Sequence, residues 1–131
     1  MMKNFEKYIF KPKVVAELPH HRTMRNVPVF VDKELCEEAN TWVMIPKLPK
    51  MLKERIGAAE EPHVHDVAQI YCFEQDITAE VWLGETPDKM ESHLVKAPSS
   101  VYIPAMLYHT LSLLETGENP VGISILLKGN Y

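Results

Sequence analysis

A chain of 131 residues has the length of one ordinary domain, and its 46% hydrophobic content suffices for a single buried core. Charged residues make up 24% and are mixed in sign, which excludes a chain disordered by composition. Fourteen basic against eighteen acidic residues leave a net charge of −4. That balance argues against a nucleic-acid partner, which needs a basic face, and against an electrostatic membrane anchor.

The start, Met1-Met2-Lys3-Asn4-Phe5-Glu6-Lys7, is broken by charge and offers no apolar signal core. No apolar run approaches the ~20 residues that span a bilayer. Cys36 and Cys72 lie far apart without metal-type spacing, so buried thiols are expected rather than a disulfide. A reducing, cytoplasmic setting is the default expectation.

Ten prolines cut the sequence into short pieces, which favours strands over long helices. In chain order, His20-His21, Arg22 and Arg25 read as a basic N-terminal arm able to meet an anion. Residues 28–31 give the first strand. Asp32 is placed to cap a short helix over residues 34–39, and 41–45 form the next strand. One or two helical turns are possible over 50–56. Further strands are expected over 69–73, 78–83, 89–95, 99–103, 109–114 and 121–127. Turn residues separate several of them: Glu74-Gln75-Asp76, Gly84 to Asp88, and Thr116 to Pro120. Short strands at this spacing predict an all-β sandwich or barrel with at most short helices.

The two-residue period of a strand sorts the side chains. Gln69, Tyr71 and Phe73 share one face. His109, Leu111 and Leu113 share another, opposite Thr110 and Ser112. Ile123, Ile125 and Leu127 form an apolar face against Gly122 and Ser124. With the odd faces inward, a pocket of Leu, Ile, Phe, Tyr and a few imidazoles results. His93 lies in a charged strand and is expected to be exposed, while Trp42 and Trp82 read as core or interface aromatics.

The segment that carries chemistry is Glu61-Pro62-His63-Val64-His65-Asp66-Val67-Ala68-Gln69-Ile70-Tyr71. Two residues apart on a strand, His63 and His65 present both imidazoles to one face, a natural half-site for a divalent first-row ion. Gln69 adds a neutral amide oxygen, and a further ligand must come from elsewhere in the chain.

At this point the sequence resembles the cupins, the double-stranded β-helix (jelly-roll) proteins. Their first motif is His-x-His followed by Glu or Gln, matched here by His63, His65 and Gln69. Their second runs from Pro through Gly to His, matched at Pro104 and His109. The resemblance covers roughly Gly57 to the C-terminus and implies one domain, 1–131, with an N-terminal arm and first strands over 1–56 and the motif-bearing barrel over 57–131. Family glycines are replaced by Asp76, Pro98 and Met106, and other residues hold such turns at some cost in strain. The resemblance implies one divalent ion (Mn, Fe, Ni, Co or Zn) on His63, His65, Gln69 and His109. Four neutral ligands leave the ion its full charge, which favours Lewis-acid work.

The function so implied is a metal-dependent lyase or dioxygenase acting on a small oxygenated molecule. Tyr71, which shares a face with Gln69, is the candidate for proton transfer, against the plainer reading of a barrel-wall aromatic. The alternative is a non-catalytic cupin that senses or stores a small ligand. Sugar-phosphate isomerisation is disfavoured, because no basic residue sits near either motif. A homodimer is expected from the family and from the apolar content of residues 70–73.

Overall fold

The computed structural model describes residues 5–18, 21–53 and 61–128, with backbone alone for 21–23. It is nearly all β. The only helical element among the described residues is a single 3₁₀ turn, Glu6–Tyr8. Seven strands follow: β1 (Lys13–Leu18), β2 (His21–Val31), β3 (Trp42–Met44), β4 (Gln69–Thr86), β5 (Lys89–Lys96), β6 (Ser99–Ile103) and β7 (Tyr108–Leu126). All pairings are antiparallel, in the order β1-β2-β3-β7-β4-β5, with β6 added on β4.

The two longest strands each merge two of the expected short ones. Turn residues at 74–76 and 116–120 do not end β4 and β7. They form bulges in a continuous ladder, with register shifts between Phe73 and Gln75, between Gln75 and Ile77, and between Thr78 and Ala79. These shifts change the parity of pairing along the ladder. Tyr71 pairs with Ser124 at one end, odd with even, whereas Val81 pairs with Leu111 at the other, odd with odd. The consequence corrects the expected facing of residues 121–127. Gly122, Ser124 and Leu126 are buried there, while Ile123 and Ile125 are half-buried and Leu127 is exposed. In the first half of β7 the odd set does turn inward: Leu111 and Leu113 pack with Tyr71, Phe73, Ile77, Ala79 and Ile103.

A second core cluster joins Leu18, Val27, Val29, Trp42 and Met44 to Leu126. Residues 13–18 therefore form an edge strand that the sequence reading placed in an arm. The helix expected over residues 34–39 is replaced by turns. Asp32 does cap locally, accepting the backbone N–H of Leu35 at 2.9 Å. Nothing extends that turn into a helix. The other carboxylate oxygen of Asp32, Oδ2, meets Lys13 Nζ of β1 at 2.5 Å. Residues 50–53 are bends or irregular, and 54–56 lie outside the described residues. So do His20 and the side chains of His21 and Arg22; Arg25 pairs with Glu17 across β1 and β2.

The replaced glycines leave a mark in the backbone. Asp76 has φ 54° and Met106 φ 67°, both left-handed. Asp76 compensates by accepting the Asn119 N–H at 2.8 Å. Met106 is 61% exposed and gains little from its side chain. The left-handed conformation costs a non-glycine residue ~1–2 kcal/mol. Met106→Gly is expected to raise stability by about 0.5–1 kcal/mol in urea unfolding, after the added unfolded-state entropy of glycine is subtracted. An unchanged or lower midpoint would contradict a strained turn.

Candidate metal centre

The two histidine-bearing segments are brought together by backbone pairing. His63 and His109 form an antiparallel bridge, N–H to carbonyl both ways at 3.1 and 3.0 Å. The Met106 N–H donates to the His65 carbonyl at 2.8 Å, so the turn before β7 is stitched to the His-x-His segment. Three imidazoles converge as a result, with ring centroids 4.4 Å apart for His63 and His109, 4.9 Å for His63 and His65, and 5.1 Å for His65 and His109. Their ligand nitrogens all lie within 4.8 Å of one another. His63 and His109 are buried and His65 is half-buried.

The hydrogen bonds set the tautomers. Nδ1 of His63 lies 3.1 Å from the Glu61 carbonyl, and Nδ1 of His109 lies 3.0 Å from that of Leu107. A carbonyl only accepts, so each Nδ1 carries the proton and each Nε2 keeps its lone pair. Nε2 of both rings is buried. Imidazoles that ligate metals are held in this way, by an outer partner on the other ring nitrogen.

Gln69 shares the inward-facing parity of β4 with Tyr71. Its side chain is 1% exposed, and its Nε2 donates to Ser124 Oγ at 2.8 Å. The buried Oε1 receives no hydrogen bond. A buried carbonyl oxygen left without a donor is a cost that a cation would remove. The residues present therefore fit a single divalent ion: three imidazoles, two of them with Nε2 left as the ligand nitrogen, and one buried amide oxygen with no donor among the described residues.

Tyr71 is buried, with its ring stacked on Phe73 at 6.1 Å and edge-on to His109 at 6.5 Å between centroids. Around it the wall is apolar. Leu83 pairs with His109 across the sheet, and Leu48, Val95, Leu107, Leu111 and Leu113 pack half-buried against the same cluster.

Two features escaped the sequence reading. The apolar set Ile123, Ile125 and Leu127 predicts an inward odd face for residues 121–127 and so an outward Ser124, whereas the structure buries Ser124. His93 is exposed as expected, and so is Glu91, and the register sets both on the outermost strand beside the residues that pair with His109 and Leu111. Glu91 pairs with Leu83 and His93 with Val81, the same residues that pair with His109 and Leu111. They form a 3.4 Å polar pair on that strand.

No protein-family profile and no curated protein sequence matches the chain. Solved structures do, and they identify the architecture: this is the cupin double-stranded β-helix. Among the neighbours is the S161A mutant of Bacillus subtilis oxalate decarboxylase, at 18% identity and TM-score 0.59, covering 80% of this chain and 26% of that one. Another is BH2720 from Bacillus halodurans, at 21% identity and TM-score 0.52, covering 70% and 65%. A third is Fe(II)-HppE with an alternative substrate, at 8% identity and TM-score 0.60, covering 88% and 55%. The chain thus spans about a quarter to two thirds of these neighbours, and identities this low carry the fold alone. No helix among the described residues is long and apolar enough to cross a membrane.

Proposed function

We propose that this protein is a metal-dependent enzyme of lyase or dioxygenase type, acting on a small oxygenated organic molecule, with His63, His65, Gln69 and His109 as ligands. The observation that carries this reading is the convergence of three imidazoles inside a cupin barrel, supported by the buried Gln69 amide oxygen that has no donor among the described residues. A divalent ion of the Mn, Fe, Ni, Co or Zn group, held by neutral donors, supplies Lewis acidity to a substrate oxygen.

The chain's own residues do the rest. Leu83, Leu107, Leu111 and Leu113 shape an apolar wall, which excludes water and strengthens every polar contact within it. Tyr71, beside His109, donates or accepts the proton at the reacting oxygen through its hydroxyl. Among the described residues no lysine or arginine is buried, so a phosphorylated substrate would find no counter-charge. This favours a substrate whose polar atoms meet the ion and whose body is apolar. A homodimer is part of the same reading, supported by an outer row of half-buried Val31, Val43, Ile125 and Ile70 on neighbouring strands. Light scattering of the purified chain tests it, and a monomer mass would remove it.

The functional test is metal analysis of protein purified without chelator or nickel resin, followed by turnover of a carbonyl and diol panel with each ion. Near-stoichiometric metal with turnover of any panel member is the expected result. Metal without turnover of any of them would favour the non-catalytic, ligand-sensing cupin.

A further inference from the structure

The pairing of Gln69 with Ser124 has a consequence for the ligand set. A glutamine amide is pseudo-symmetric: turned by half a revolution it offers two N–H donors where it offered an oxygen. An N–H pair facing the imidazole lone pairs would stabilise an empty site and repel a cation. With Nε2 bonded to a fixed partner, Oε1 is the end left over; a serine hydroxyl can also donate, so the bond fixes the place of the amide and a bound cation would select its oxygen end. Here that partner is Ser124 Oγ, which accepts from Gln69 Nε2 at 2.8 Å between side chains 1% and 3% exposed. Ser124 stands at this spot because its strand is fixed on both sides: it pairs with Met44 of β3 and Tyr71 of β4, and Gln69 reaches it diagonally from the pair Gln69–Leu126.

We propose that Ser124 is a positioning residue of the metal centre, holding the Gln69 amide with Oε1 toward the three imidazoles. This rests on the reading of the cluster as a metal site. Partners of this kind typically change affinity by about 10–100-fold when removed.

Co(II) serves as the probe, because affinity and visible absorption report ligand number separately. Wild type, Ser124→Ala, Gln69→Ala and the double variant are titrated, with apo thermal midpoints measured alongside. The expected result is a roughly tenfold or greater loss of Co(II) affinity in Ser124→Ala. Its absorption bands should move to those of Gln69→Ala, and the second substitution should add no further loss in the Gln69→Ala background. Ser124→Thr, which keeps the acceptor, should restore affinity and spectrum together. If Ser124→Ala does not fold, Ser124→Cys, similar in size but a weak acceptor, takes its place. Unchanged affinity and bands in Ser124→Ala, or losses that add in the double variant, would overturn the positioning role and leave the metal centre standing. A wild type that binds no Co(II) would overturn both.

Discussion

His109→Ala is expected to strip the protein of stoichiometric metal, and His63→Ala to do the same. The two rings are held side by side, tilted 56° to one another, by the reciprocal backbone pairing of their own residues, which substitution of the side chain leaves in place. The backbone geometry should persist while the ligand is lost. Four-ligand protein sites bind divalent zinc with ~10–16 kcal/mol, so an equal share is about 3 kcal/mol per ligand. At 1.4 kcal/mol per tenfold, each truncation weakens binding by about two orders of magnitude. Metal content after gel filtration, measured beside the apo unfolding midpoint, checks it. A variant that keeps its metal, or one that loses metal only because it unfolds, would contradict ligation by that ring. His93→Ala is the matched control: its ring is solvent-facing on β5, and metal content should not change.

The centre was legible in the sequence because its determinants are local and short-ranged. His63, His65 and Gln69 lie within seven consecutive residues. The Pro104-to-His109 turn carries its ligand one residue into β7, where strand geometry sets its direction. Ser124 was hidden for the opposite reason. Its facing depends on the sum of the register shifts between Phe73 and Ala79, and that sum is a property of the pairing, not of β7 alone. Gly117 shows how tightly the inserted loop is held: a Cβ there would stand 2.8 Å from Asp76 Cγ. Residues 13–18 were missed because an edge strand buries little. Only Leu18 in that strand is buried, Val15 packs half-buried against the same cluster, and Val14 is 64% exposed, so apolar alternation is faint. The expected helix after Asp32 shows a third kind of failure: the capping bond to Leu35 forms, but a cap alone does not extend the turn into a helix, and the second carboxylate oxygen serves a long-range ion pair.

That ion pair defines the second large effect. Lys13→Ala is expected to cost about 2–3 kcal/mol at neutral pH, toward the low end of breaking a buried pair because the Lys13 side chain is 31% exposed. Burial alone would push the Asp32 carboxyl up, but the hydrogen bond from Lys13 and the N–H groups of Leu35 and Glu34 outweigh it and hold the carboxyl below its usual value. Hydrogen bonds to Asp32 and then Glu34 raise the Lys13 ammonium in turn. Both shifts stabilise the charged pair, and their pH windows differ. The Asp32 contribution is fully present above the carboxyl's unfolded value, ~3.9, and is lost as pH falls through the lower folded one. The Lys13 contribution is fully present below ~10.4 and is lost as pH rises through the higher folded value. Without Lys13, the burial that raises Asp32 is opposed only by the two N–H groups. Urea unfolding from pH 7 to pH 2.5 should therefore show the gap between wild type and Lys13→Ala narrowing as Asp32 becomes protonated. Lys13→Met, which keeps the alkyl stem and removes the charge, should follow the alanine variant in that pH dependence. A gap that stays constant across the range would assign the loss to packing of the stem and not to the ion pair, and β1 would then be held to the sheet by its ladder with β2 alone.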